Sequence, residues 1–170
     1  VVNFGIMYGA GPFRMSQELG ISIKESKELI ETYFQTYPKI KEYMDNTIDF
    51  ARKNGYVKTL LGRKKNINLG EHLSVQMQKA EERALINMPI QGTAAELIKV
   101  AMINIFHKFK NNNLNTKMIL QIHDELIFES SVREEEIAKD IIINEMEQAM
   151  SLSIPLKVSC SSGDNWYEAH

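Results

Sequence analysis

Three groups of side chains in this sequence have the types and spacing to do chemistry. The first is His123-Asp124-Glu125, set between apolar runs at 117–121 and 126–129. Acidic groups gathered on a tight connection between apolar segments are poorly explained by core packing. Carboxylates placed there suit Mg²⁺, a hard cation that takes oxygen ligands, keeps several waters and is commonly shared with substrate phosphates. Successive strand residues point to opposite faces, so Asp124 and Glu125 would not grip one ion equally. A two-metal site therefore calls for a further carboxylate from elsewhere. The tripeptide alone does not decide the matter, because acidic residues also occupy turns as solvated groups, and a lone histidine is more often structural than a ligand.

The second group is Arg83, Asn87 and Gln91. Residues four apart share a helix face, and all three are long-reaching hydrogen-bond donors. Purine N3 and pyrimidine O2 present minor-groove acceptors at every correct base pair, so such donors can hold a matched duplex without reading its sequence. A solvated polar face accounts for the same pattern. Gly92 and the pair Ala94-Ala95 nearby leave room for close approach of a backbone or ligand. The third group, Arg63-Lys64-Lys65, is a run of cations suited to phosphate contact, although any exposed hairpin can carry such a tip.

The elements that must position these groups follow from local signals. A short helix is expected over 13–19, ending at Gly20. Ser22-Ile23-Lys24-Glu25 has the capping-box pattern that starts a helix running to about residue 36. Pro38 then opens a helix that stops at Asn54-Gly55. Residues 55–69 lean towards β structure and predict a small hairpin tipped by Arg63, Lys64 and Lys65. Two helices follow, about 71–87 and, after a break at Pro89, to about 110 with Leu97, Ile98, Ala101, Met102, Ile105 and Phe109 on one face. A second hairpin spans 117–129, a helix about 133–150, and a closing strand about 156–161. The fold class is therefore α+β, mostly helical, with a small antiparallel sheet (the hairpin plus the carboxy-terminal strand) backed by helices.

Composition bounds the rest. The 170 residues, 44% hydrophobic and 25% charged, suffice for one domain with a real core. A net charge of −2, from 20 Lys+Arg against 22 Asp+Glu, announces no nucleic-acid binder, so that case rests on particular residues. The single cysteine, Cys160, excludes an internal disulfide and reads as a small buried side chain in the closing strand. No run approaches the ~20 apolar residues of a membrane span.

Read together, these motifs resemble a family. Asn3-Phe4-Gly5-Ile6-Met7-Tyr8-Gly9 is similar to the second half of the fingers motif of family A DNA polymerases, the bacterial DNA polymerase I type. The stretch from Arg83 to Ala95 resembles that family's helix pair, Gln121 to Glu125 its palm hairpin, and Gly163-Asp164-Asn165-Trp166 through His170 its carboxy terminus. The four occur in the family's order and cover nearly the whole chain.

The resemblance implies a carboxy-terminal piece of the polymerase, with about 1–70 the remainder of the fingers and about 71–170 part of the palm. It implies attack of a primer 3′-oxygen on the α-phosphorus of a dNTP, with Mg²⁺ as the cofactor pair and primer-template DNA as partner. Asp124 would be one of two metal-binding aspartates, Glu125 its acidic neighbour, and His123 would lie near the primer terminus. Phe4 and Tyr8 would contact the incoming nucleotide, with Phe at position 4 favouring discrimination against dideoxynucleotides. Arg83, Asn87 and Gln91 would be the minor-groove donors, and Arg63 would add to the DNA contacts. The family's fingers Lys and Arg and its other aspartate match nothing here, and Gln78 stands near a position where relatives often carry Arg. The implied compartment is the bacterial cytoplasm at the nucleoid, with organelles as the alternative. Two rival readings of the same residues are a non-catalytic nucleic-acid-binding module of this fold and a nuclease built on Asp124.

Overall fold

The computed structural model describes residues 2–67 and 74–169. It divides the chain into two compact units, Val1–Thr93 and Ala94–His170. The boundary falls inside one long helix.

The amino-terminal unit is built from short helices with sharply encoded ends. After α1 (Val2–Met7), helix α2 (Pro12–Leu19) starts with proline at its first turn, where a missing N–H costs nothing, and ends at Gly20 in the left-handed region (φ 67°). The expected capping box begins α3 (Ile23–Thr36): Ser22 Oγ accepts from Glu25 N–H at 3.2 Å, and the Glu25 carboxylate accepts from Ser22 N–H at 2.8 Å. Buried Ser26 donates to the Pro12 carbonyl at 2.9 Å and so ties α3 to the start of α2. Helix α4 (Pro38–Asn54) ends at Gly55 (φ 80°), with Arg52 and Lys53 in its last turn complementing the helix dipole.

Strands β1 (Tyr56–Lys58) and β2 (Lys64–Asn66) form the first hairpin, paired Tyr56 to Asn66 and Lys58 to Lys64. Lys64 and Lys65 therefore lie in β2 and not at the tip. Lys64 sits 4.1 Å from the centre of the Tyr56 ring, and Lys65 pairs with Glu81 at 2.7 Å. Of the three cations, Arg63 alone is in the connecting loop, because pairing with β1 starts β2 at Lys64, two residues earlier than a tip of Arg63, Lys64 and Lys65 implies. The last part of the strand-like run, at 68 and 69, lies outside the described residues. Ala51, Val57 and Leu85 form the core of this unit, with Ile48, Ile67 and Met88 against it.

The expected break at Pro89 does not occur. Helix α5 runs unbroken over Val75–Asn111 with Pro89 inside it, while the expected start near 71 lies outside the described residues. Proline deprives the Leu85 carbonyl of its helical donor, and side-chain hydrogen bonds support the surrounding turns. Thr93 Oγ1 donates to the Pro89 carbonyl at 2.5 Å, and the Tyr43 hydroxyl of α4 donates to the Ile86 carbonyl at 2.9 Å. Leu85 is fully buried and Ile86 nearly so. Packing and these bonds outweigh the local preference of the residue before proline for extended geometry.

In the carboxy-terminal unit, Ala101, Ile105 and Phe109 of α5 pack with Ala138 and Ile142 of α6 (Glu135–Glu147). Strands β3 (Lys117–Ile122) and β4 (Glu125–Glu129) form the second hairpin, with a register irregularity between Met118 and Leu120. Met118, Leu126 and Phe128 turn onto the same core. A one-turn helix α7 (Trp166–Ala169) follows. The closing strand expected at 156–161 is not formed. A strand exists only through a hydrogen-bonded neighbour, and Val158 N–H is taken instead by the Glu147 carboxylate at 3.2 Å. Cys160 lies in this irregular segment, partly buried, and burial raises its thiol pKa above the usual value. The α+β class stands, with two separate two-stranded antiparallel sheets among the described residues.

Candidate functional site

The acidic tripeptide lies at the tip of the second hairpin, with Glu125 already the first residue of β4. Ile122 pairs with Glu125, which leaves His123 and Asp124 as a two-residue connection. His123 has φ 51°, one of two non-glycine residues at positive φ among those described. Positive φ in a two-residue loop belongs to the mirror-image turns whose twist matches that of paired strands. Gln121 Nε2 donates to the His123 carbonyl at 3.1 Å and braces the turn from within. His123, Asp124 and Glu125 are all exposed. Their short, paired backbone fixes the point from which the Asp124 carboxylate projects.

In the amino-terminal unit the structure brings Phe4, Tyr8 and Arg83 together. The rings of Phe4 and Tyr8 stack at 6.1 Å between centres and 19° between planes, as residues one helical turn apart can. They line one cleft of about 450 Å³ with Gly9, Arg14, Glu18 and Arg83. Both aromatics are exposed, Phe4 at 63% and Tyr8 at 39%. Gly9 has φ 76°, and a β-carbon on it would stand 2.8 Å from Arg83 Cγ. A larger hollow of about 620 Å³, lined by Ile30, Phe34 and Met44 among others, carries none of the expected site residues.

Because α5 is continuous, Arg83, Asn87 and Gln91 recur at four-residue steps along one helix. At 3.6 residues per turn they stay on one side of it. Arg83 and Gln91 are exposed and Asn87 is half-buried. Arg63 is exposed in the β1–β2 loop. Sequence reasoning missed Gly9 as the seat of Arg83, and it missed the buried Thr59 and Thr93 beside Gln91. The glycine in Tyr8-Gly9-Ala10-Gly11 was the available signal for the first.

With this geometry in place, comparison with known proteins is decisive. The family model for DNA polymerase family A matches residues 1–168. This chain belongs to DNA polymerase family A. The family match takes in both aromatics, the α5 row and the hairpin turn. The chain is 47% identical over 167 residues to DNA polymerase I of Caldicellulosiruptor bescii, covering 98% of this chain and 20% of that protein. It is 41% identical over 168 residues to DNA polymerase I of Bacillus subtilis, covering 99% and 19%. A solved structure described as the POL domain of Pol1 from M. smegmatis, in complex with DNA primer-template and dNTP, superposes with a TM-score of 0.94 at 38% identity, covering 99% of this chain and 30% of that one. The chain thus spans about a fifth of the length of these curated family A relatives. Among the described residues, no helix is long and apolar enough to cross a membrane.

Proposed function

We propose that this chain is the carboxy-terminal part of a template-directed DNA polymerase, which extends a primer 5′ to 3′ from dNTPs in replication and repair. The observation that carries the reading is the family A match over residues 1–168, which includes every cluster described above. The curated relatives are DNA polymerase I proteins, and the similar solved structure holds primer-template and dNTP.

The roles follow from position and chemistry. Phe4 and Tyr8 offer a stacked aromatic surface for the incoming nucleotide and the base opposite it. Arg83, Asn87 and Gln91 donate to minor-groove acceptors of the primer end, which every correct pair presents in the same places. Arg63 neutralises backbone phosphate, and His123 stands beside the primer terminus.

The hairpin turn fits Mg²⁺ in type. Asp124 in the turn and Glu125 at the start of β4 are both exposed carboxylates. Among the described residues no three His, Cys, Asp or Glu side chains cluster as a cage, and Mg²⁺ is commonly held by one or two carboxylates plus waters and substrate phosphates. Asp124 would hold it, with Glu125 as its acidic neighbour and a second aspartate from the rest of the polymerase. When bound, the metal pair makes the primer 3′-hydroxyl a better nucleophile and offsets charge on the departing pyrophosphate. The partners are then primer-template, dNTPs and the remaining polymerase chain, in the bacterial cytoplasm. These 170 residues alone are not expected to extend a primer.

Primer extension by the full-length polymerase, its Asp124→Asn variant and this chain alone tests the reading. Asp124→Asn should lower the rate by about a thousandfold, on the order of 4 kcal/mol of transition-state stabilisation, while leaving primer-template binding in place. A full-length protein that binds primer-template but never extends it would overturn the proposal in favour of a binding module.

A further inference from the structure

Thr59 and Thr93 are buried, at 2% and 8% exposure, in a region otherwise given to solvent-facing polar residues. A threonine hydroxyl has one donor and two acceptor positions. Thr93 Oγ1 uses them to donate to the Pro89 carbonyl at 2.5 Å and to accept from Leu60 N–H at 3.0 Å. Thr59 Oγ1 accepts from Arg63 N–H at 3.0 Å. The loop is closed by Thr59 N–H to the Arg63 carbonyl at 2.9 Å and Gly62 N–H to the Thr59 carbonyl at 3.0 Å. Gly92 completes the seat, because a β-carbon there would stand only 2.7 Å from Thr59 Cγ2. The β1–β2 loop is therefore docked onto the one turn of α5 that carries Gln91.

We propose that Thr59 and Thr93, seated through Gly92, are positioning residues that hold Arg63 and Gln91 in fixed register, so that phosphate and minor-groove contacts engage one duplex together. This rests on the polymerase reading above. Neither threonine need touch DNA, since both hydroxyls are bonded inside the protein. Thr93 serves the turn of α5 and the loop at once, and losing its oxygen would leave Leu60 N–H without that acceptor. The loop would then be ordered only on binding, and ordering at that moment weakens affinity.

The test is binding of a primer-template duplex to the full-length polymerase across a salt series, read by fluorescence anisotropy, with thermal unfolding alongside. Thr93→Val should weaken binding by about tenfold. It should also lower the slope of log Kd against log salt by about 0.9, the effect of losing one phosphate contact. Arg63→Ala should show the same slope change, and the double variant should lose less than the sum of the two. Thr93→Ser, which keeps the hydroxyl, should bind as the wild type does. Gly92→Ala tests the seat without removing a polar group. It should weaken binding similarly, and adding Thr59→Ser, which deletes the opposing methyl, should restore it.

Variants that melt earlier yet keep wild-type Kd and salt slope would overturn the inference, as would a Gly92→Ala defect that Thr59→Ser fails to relieve. If Thr93→Val does not fold, the Gly92→Ala and Thr59→Ser pair decides. A wild-type protein without duplex affinity would overturn the polymerase reading and this inference with it. Normal wild-type affinity with unaffected variants overturns this inference alone.

Discussion

The aliphatic stem of Arg83 lies across the bare backbone of Gly9: a β-carbon there would approach Arg83 Cγ to 2.8 Å and Cδ to 3.1 Å. Cγ sits near the root of the side chain, so the arginine cannot step aside by moving its guanidinium alone. Gly9 also has φ 76°, a conformation glycine adopts freely and other residues rarely. The turn that follows α1 and the start of the polar row on α5 are thus in direct contact.

Gly9→Ala is accordingly expected to cost stability, on the order of 1 kcal/mol from the left-handed conformation, and to displace Arg83. In primer extension by the full-length polymerase, kcat/KM should fall by about tenfold or more, roughly 1.4 kcal/mol. Adding Arg83→Ala should cost little further, because both changes remove the same contact. Independent losses that simply add would show that Arg83 does not depend on Gly9.

Tyr43→Phe removes the hydroxyl that serves the Ile86 carbonyl, one turn before Pro89, and leaves the ring in place. A loss of about 1 kcal/mol in denaturant unfolding is expected, the net worth of a typical hydrogen bond. An unchanged midpoint would mean that another donor replaces the hydroxyl.

Glu134 clamps the start of β3. Its half-buried carboxylate accepts from Asn115 N–H at 3.0 Å, Thr116 N–H at 2.9 Å and the Thr116 hydroxyl at 2.8 Å. The Asn115 backbone bond first, then the Thr116 hydroxyl, holds its pKa below the ordinary 4.5. A lowered folded-state pKa means stability that is fully present above pH 4.5 and is lost as pH falls through the folded value. Melting temperature followed from pH 7 downward should therefore drop more steeply below that point in the wild type than in Glu134→Gln. Parallel curves would remove Glu134 from the account.

Ser22→Ala breaks the capping box of α3 and should cost about 1 kcal/mol. Ser22→Asp, which retains an acceptor for Glu25 N–H, should recover most of it in the same unfolding measurement.

Where the signal is local, residue order alone was enough. Ser22 and Glu25 satisfy each other across three residues, Gly20 and Gly55 end their helices at positive φ, and Pro38 opens one. A hairpin over 117–129 was legible because its flanking runs are apolar and short, while the pairing of Ile122 with Glu125 narrowed its connection to His123 and Asp124. The family was legible for a similar reason, since its motifs are short, ordered stretches that survive in a single sequence.

Long-range packing decided what those signals could not. Pro89 should interrupt a helix by its own chemistry, yet α5 runs through it, with Leu85 and Ile86 buried and the Ile86 carbonyl bonded by Tyr43 from forty-three residues upstream. Residues 156–161 have strand-like composition but no strand, because pairing needs a neighbour and Glu147 takes Val158 N–H. Lys64 and Lys65 became strand residues through register, held against Tyr56 and Glu81. Gly9 beneath Arg83, and Gly92 beneath Thr59, are contacts between residues far apart in the chain. Sequence by itself determined the elements and the chemical groups they carry, because capping, turn and helix-end preferences act within a few residues. Tertiary structure alone decided which of those groups meet, because the packing and hydrogen bonds that join them depend on distances no local pattern records.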